Sequence, residues 1–250
     1  MKKMRTVKTD RYTLIHGDFF SLRQHFGAFA LKVDFVFTDP PYEIAKVSTG
    51  TIKFDNREDI NKDLGQWDHD SIDIPILCQE LAMYMKETAN IAVFCAYHQY
   101  PQYWEYLDNR FDTFIPWYYC KTNPSPSIRK TSFRQGVEII CCAWNKGHYF
   151  NFGKQQDMLN WKTFPICMGN ERLKNGEGKT LHPTQKRLDL CKYHIEIMCP
   201  PDGIVLDPFA GTGSIGIAAL ELGRKYIGIE RDETYFLAME ERFRNATKQD

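Results

Sequence analysis

Short apolar runs recur along this chain, separated by stretches with helical periodicity. Runs at Tyr12–His16, Val33–Thr38, Ile91–Cys95, Phe111–Tyr119, Val137–Trp144, Ile204–Leu206 and Tyr226–Ile229 predict strands. Three of them are almost wholly apolar, as expected of parallel strands covered on both faces. Helices are predicted near Phe20–Phe26, Ser71–Thr88, Gln99–Asn109, Thr184–Met198, Ser214–Leu222 and Asp232–Asn245. Within Thr184–Met198, the residues Leu188, Cys191, Ile195 and Met198 share one face. Gly223 stands where a helix-ending glycine belongs and Asp232 where an N-cap belongs. The alternation predicts an α/β fold with a mostly parallel, Rossmann-like sheet of about seven strands. Phe111–Trp144 joins two strands without a helix, which predicts an antiparallel hairpin at one edge of that sheet. Residues 43–70 and 145–181 fit neither period and read as substrate-facing insertions in a single domain covering 1–250.

Composition narrows the class. With 250 residues, 43% of them hydrophobic, the chain is long enough for one sizeable core. The formal net charge is zero, so any nucleic-acid contact must come from local patches. The eight cysteines lie mostly within apolar runs and form no Cys-x-x-Cys pair, which suggests buried thiols in a reducing, cytoplasmic setting. Cys95 and His98 have ligand-like spacing, but no second pair completes a site, so no metal is expected. No long apolar span or leader-like segment suggests a membrane.

Residues 204–230, "IVLDPFAGTGSIGIAALELGRKYIGIE", carry a denser signal. A strand ends at Asp207, a glycine turn and a helix follow, and a second strand ends on Glu230. Gly211, Gly213 and Gly216 match a dinucleotide fingerprint, with Glu230 placed for ribose hydroxyls. A packing turn with a surface glutamate is the competing reading. Only 34 residues follow Gly216, so most of the sheet must come from upstream, as in a circularly permuted fold. Asp207 puts a carboxylate at the strand end, which suits a cofactor with a cationic centre. Both points favour S-adenosylmethionine over NAD, which leaves an NAD-type oxidoreductase as the alternative from another class.

"DPPY" at 39–42, "HPTQK" at 182–186 and "LDPFAGTG" at 206–213, in that order, resemble the beta-class amino-methyltransferases of DNA. The resemblance runs from "HGD" at 16–18 to the C-terminus. It implies a permuted methyltransferase sheet, S-adenosylmethionine as cofactor and DNA as partner. Asp18 would bind the adenine amino group of the cofactor, and Glu230 its ribose. Asp207, Phe209, Gly211 and Gly213 would surround it, with Lys186 near the methionine end. Asp18 as a helix cap, and His182–Thr184 as a helix start capped by Thr184, are the competing structural readings. A homodimer and a cognate restriction enzyme are compatible partners.

The chemistry of Asp-Pro-Pro-Tyr fits that family. An exocyclic amine on adenine or cytosine is a poor nucleophile, because its lone pair is delocalised into the ring. Asp39 can accept one amino hydrogen and the Pro40 carbonyl the other, while Tyr42 offers a stacking face to a flipped base. Within the family, Asp-Pro-Pro-Tyr is associated with adenine N6 and Ser-Pro-Pro-Tyr with cytosine N4. The expectation is an adenine-specific DNA methyltransferase, with an N4-cytosine enzyme or an RNA adenosine N6-methyltransferase as alternatives. The RNA enzymes resemble Asp-Pro-Pro-Trp, and Tyr42 counts against them. From Thr113 to Val137 the charged residues are all basic: Lys121, Arg129, Lys130 and Arg134. They are the candidate DNA contacts. The chain departs from the family pattern at Glu43, where Asn is common, and at Arg187, where Pro is common.

Overall fold

The computed structural model describes residues 5–21, 32–42, 72–127, 130–131 and 133–248. Among them, nine strands form one mixed, mostly parallel sheet. They are β1 (Arg5–Lys8), β2 (Tyr12–His16), β3 (Val33–Thr38), β4 (Met85–Cys95), β5 (Thr113–Lys121), β6 (Val137–Trp144), β7 (Trp161–Phe164), β8 (Ile204–Asp207) and β9 (Lys225–Glu230). The helices are α1 (Ile74–Tyr84), α2 (Tyr100–Arg110), α3 (Leu188–Met198), α4 (Ser214–Glu221) and α5 (Glu233–Ala246). The strand order is β1-β2-β9-β8-β3-β4-β6-β5-β7.

All seven expected strands are present, but the count of seven is too low. β1 and β7 are four-residue strands with mostly exposed or half-buried side chains, and neither carries an alternating pattern. β1 pairs antiparallel with β2, and β7 pairs parallel with β5. The β5–β6 hairpin is antiparallel as expected, yet β7 covers its outer strand, so it is not the edge. The helix expected to reach Thr88 stops at Tyr84, and Met85–Thr88 extend into β4, where Met85 pairs with Val33. Pairing with a central strand overrides the local helical preference of Lys86 and Glu87. Of the helix expected at Phe20–Phe26, the described part is a 3-10 turn at Phe19–Ser21; the remainder lies outside the described residues. Residues 43–70 lie there too.

Alternation along the strands divides the core. Phe35 and Phe37 pack on one face with α3, α4 and α5, and Val33 and Val36 pack on the other with α1. Seven of the eight cysteines are buried, and all are free thiols. Cys95 Sγ lies 3.5 Å from Cys141 Sγ within the sheet. No helix among the described residues is long and apolar enough to cross a membrane.

The topology decides where a ligand can sit. From β8 the chain passes through α4 to β9 on one side, and from β3 it reaches β4 on the other, while β3 and β8 are direct neighbours. This is a switch point, and ligands of open α/β sheets bind beyond the carboxyl ends of strands at such points. Thr38, Asp207, Glu230 and His16 close β3, β8, β9 and β2 at that edge.

Candidate active site

A single cleft at this switch point is lined by Asp18, Asp39, Pro40, Tyr42, Lys186, Asp207, Phe209, Gly211 and Glu230. Motifs from both ends of the chain therefore meet in space. Gly213 is not among the lining residues. Its φ of +77° opens α4, and an added Cβ would lie 2.7 Å from Phe243 and 2.8 Å from Met239. Only glycine fits there, because the turn needs both a left-handed backbone and close packing on α5.

Backbone amides and hydroxyls build the glycine-turn half. Glu230 accepts the Gly211 amide at 2.7 Å on one oxygen and the Asp232 amide at 2.7 Å on the other. Burial nevertheless pushes its carboxyl up to about 6. Asp207 accepts Thr38 Oγ1 at 2.7 Å, the Phe209 amide at 3.2 Å and the Tyr226 hydroxyl at 3.2 Å. Burial outweighs those three donors and pushes Asp207 up to about 7. At Gly211 a Cβ would stand 3.2 Å from His182 Nε2, so glycine keeps the His182 ring close over the turn. That ring lies 4.5 Å from the Tyr235 ring, and burial, with Lys186 nearby, pulls its pKa down to about 4. Asp18 lines the cleft and also accepts the Ser21 amide and hydroxyl, both at 3.1 Å. Its capping role is real, on a 3-10 turn rather than a helix.

Side chains build the Asp39 half. Asp39 Oδ1 accepts the Tyr42 hydroxyl at 2.5 Å, and Oδ2 meets Lys186 Nζ at 2.7 Å. Burial raises the Asp39 carboxyl against the pull of Lys186. Lys186 keeps its proton because Asp39 and Glu138 more than offset the burial that opposes its charge. Its Nζ lies 4.7 Å from the Phe94 ring centroid, a cation–π contact in the cleft floor. Gln99 is buried and donates Nε2 to the Pro41 carbonyl at 3.1 Å, while its Oε1 accepts the Ala96 amide at 3.2 Å. Pro41's carbonyl is thereby occupied, and no described residue donates to that of Pro40. The double proline stiffens this turn, and Gln99 anchors it through the Pro41 carbonyl.

Several expectations change here. Lys186, expected beside the cofactor, lines the same cleft and ties Asp39, 2.7 Å from its Nζ, to Glu138, 3.3 Å from it. Lys121 is not a free phosphate contact, because its Nζ pairs with Glu138 Oε1 at 2.7 Å. Arg134 donates to the carbonyls of Pro124 and Ser125 and so braces its own loop. Lys130 is exposed at a left-handed φ of 51°. Arg129 and Glu43 lie outside the described residues. Thr184 does not cap a helix: α3 starts at Leu188 with Arg187 at the N-cap position. Arg187, where the family commonly has proline, grips Asp189 with two hydrogen bonds of 2.8 and 2.7 Å and holds the first turn of α3. Glu138, Gln99, Thr38 and Tyr226 were not anticipated. For Glu138 a signal existed, a lone acid inside the apolar run "VEIICCAW".

Comparison with known proteins identifies the arrangement. A family model described as DNA methylase, of the N6/N4 type, matches residues 33–241. The chain belongs to the N6/N4 DNA methylase family. Among its relatives, Type II methyltransferase M.HinfI of Haemophilus influenzae is 31% identical over 231 residues, 85% of this chain and 63% of that protein. The chain thus spans less than two thirds of the length of that relative. Type II methyltransferase M2.MboI of Moraxella bovis is 28% identical, covering 94% of this chain and 89% of that protein. The solved M1.HpyAVI–SAM complex superposes with a TM-score of 0.69 at 27% identity, over 93% of this chain and 98% of the other. The cytosine-N4-specific PvuII DNA methyltransferase shares the fold, with a TM-score of 0.66 at 18% identity, over 96% of this chain and 92% of that one. Within this N6/N4 DNA methylase, the dinucleotide reading of the glycine turn gives way to a methyl donor.

Proposed function

We propose that this cleft transfers a methyl group from S-adenosylmethionine to the exocyclic N6 of adenine in DNA. The observation that carries the reading is the convergence of Asp39 and Pro40 with the glycine turn and Glu230 in one cleft. Family membership supports S-adenosylmethionine as the methyl donor, and the cleft fits it. The Gly211 turn, at a φ of +52°, would bring a Cβ tight against His182, and the acid ending β9 is held by two backbone amides. Glu230 would take the ribose hydroxyls, Asp18 the adenine amino group, and Asp207, Phe209 and Gly211 the methionine portion. When bound, the cofactor supplies an electrophilic methyl on a sulfonium centre.

Everything else falls to the chain itself. Asp39 and the Pro40 carbonyl accept hydrogen bonds from the two amino hydrogens of the target base, which draws the nitrogen lone pair out of conjugation and toward the methyl group; the methylated nitrogen then sheds its surplus proton along the Asp39 hydrogen bond. Tyr42 stacks on the extruded ring. The catalytic contribution is mainly alignment and preorganised electrostatics, with no covalent intermediate on the protein. Adenine rather than cytosine is favoured by Asp at position 39 of the motif. The motif order, with the Asp-Pro-Pro-Tyr strand β3 preceding the glycine-turn strand β8 that lies beside it, supports a permuted methyltransferase sheet. Residues 1–250 are read as one methyltransferase domain. Residues 145–181, which hold β7 and two 3-10 turns, would form the target-recognition region. Lys130 and Arg129 remain the candidate phosphate contacts of the four basic residues. Nucleoside mass spectrometry of DNA incubated with protein and S-adenosylmethionine tests the reading: N6-methyladenine is expected, and N4-methylcytosine in its place would refute the base assignment.

A further inference from the structure

Lys186 is one ammonium serving two buried carboxylates. Its Nζ stands 2.7 Å from Asp39 Oδ2 and 3.3 Å from Glu138 Oε2. Glu138 comes from β6, and its other oxygen takes Lys121 at 2.7 Å. Two cations thus balance two anions beneath the catalytic turn. The balance is uneven in one respect: Glu138 Oε2 is buried, and its 3.3 Å contact with Lys186 is longer than the 2.7 Å contact that Lys186 makes with Asp39.

Both Asp39 oxygens are engaged, Oδ1 by Tyr42 and Oδ2 by Lys186. Each oxygen can accept more than one hydrogen bond, yet an incoming amino group would compete for Oδ2 most directly with the Lys186 ammonium. A buried ammonium deprived of its partner is strongly unfavourable. Glu138 Oε2 already lies within about half an ångström of charge-assisted hydrogen-bond distance from Nζ. We propose that Glu138 is a positioning residue for methyl transfer: it takes over Lys186 as the target amine docks on Asp39, so Asp39 frees an oxygen while the ammonium stays paired. The inference rests on the methyl-transfer reading and adds to it a residue outside the three family motifs.

The charged and titratable groups around this pair include Lys121, Lys186, Tyr42, Tyr103, Tyr119, His182, Cys191 and Asp207. Glu138 raises the Asp39 carboxyl through its negative charge. Replacing it with a neutral side chain therefore lowers the pH at which Asp39 protonates. Removing Lys121 leaves Glu138 less compensated and moves that protonation the other way.

The test follows kcat against pH in the full chain at saturating S-adenosylmethionine and DNA, with calorimetric cofactor binding and thermal melting alongside. For Glu138→Gln, kcat is expected to fall on the order of 10- to 100-fold. Cofactor Kd should stay within about two-fold, and the acid limb of the kcat profile should move to lower pH. Glu138→Asp should recover part of the rate. Lys121→Met should shift the acid limb to higher pH, and it decides the matter should Glu138→Gln fail to fold. An unchanged acid limb in the folded variants overturns the inference alone. So does a rate loss matched by equal losses of cofactor affinity and melting temperature. A wild-type protein that transfers no methyl group overturns the methyl-transfer reading as well, and mass spectrometry of the wild-type product separates the two failures.

Discussion

The two halves of the cleft are built by different physics. Around the glycine turn, Glu230 is held by two backbone amides, and Asp207 by two hydroxyls and a third amide. Around Asp39 the partners are the side chains of Tyr42, Lys186, Glu138 and, behind them, Lys121. The first half is fixed by chain path and cannot rearrange without refolding the turn. The second is a chain of charged groups whose partners can be exchanged over fractions of an ångström. A fixed cradle suits a cofactor that must bind the same way each time, and an exchangeable one suits an amine whose hydrogens must be accepted as it reacts.

The sharpest way to break this contrast is at Asp39. Asp39→Ala is expected to lower methyl transfer by about a thousand-fold or more, measured as labelled methyl incorporated into DNA. At the fixed half the expected loss is in folding. A Cβ on Gly216 would lie 2.4 Å from both Phe243 and Tyr226. Gly216→Ala should therefore destabilise the protein by about 1–3 kcal/mol, visible as a lower melting temperature. Gln99→Leu removes the donor to Pro41's carbonyl and loosens the anchored turn. It should reduce kcat by about ten-fold while sparing cofactor affinity.

The fixed half also carries a pH dependence of its own. Asp207 and Glu230 have carboxyls raised to about 7 and about 6. Between the unfolded values of 3.8 and 4.5 and these raised ones, the folded state binds more protons than the unfolded state. Stability of the cofactor-free protein from these groups is therefore greatest below about pH 4 and declines as pH rises toward 7. Affinity for a sulfonium cofactor should run the opposite way, rising as the carboxylates ionise. Melting curves and binding isotherms across pH 5 to 8 check the opposed signs.

The same contrast governs what could be read from the chain. Glycine turns, caps and strand ends are local, so Gly213, Gly223, Asp232 and the acids ending β8 and β9 were legible from spacing alone. Asp232 does cap α5, accepting the Tyr235 amide at 3.0 Å, and Gly223 follows α4 at a φ of +73°. β1 and β7 were missed because short, exposed strands carry no alternating signal. Met85–Thr88 was misread because its strand character comes from pairing with β3. The Asp39–Lys186–Glu138 network draws on three distant segments, so neither the partner of Lys186 nor the engagement of Lys121 could appear in any local pattern. Lys121 in particular looked like a surface cation, and only the fold turns it toward Glu138.

The central claim is that the halves divide the labour, with the glycine-turn side binding the cofactor and the Asp39 side acting only on the amine. Calorimetric titration of Asp39→Ala with S-adenosylmethionine tests it most directly. The account predicts a dissociation constant within about two-fold of wild type in a variant that no longer transfers methyl groups. A collapse of cofactor binding in a variant with wild-type melting behaviour would contradict it.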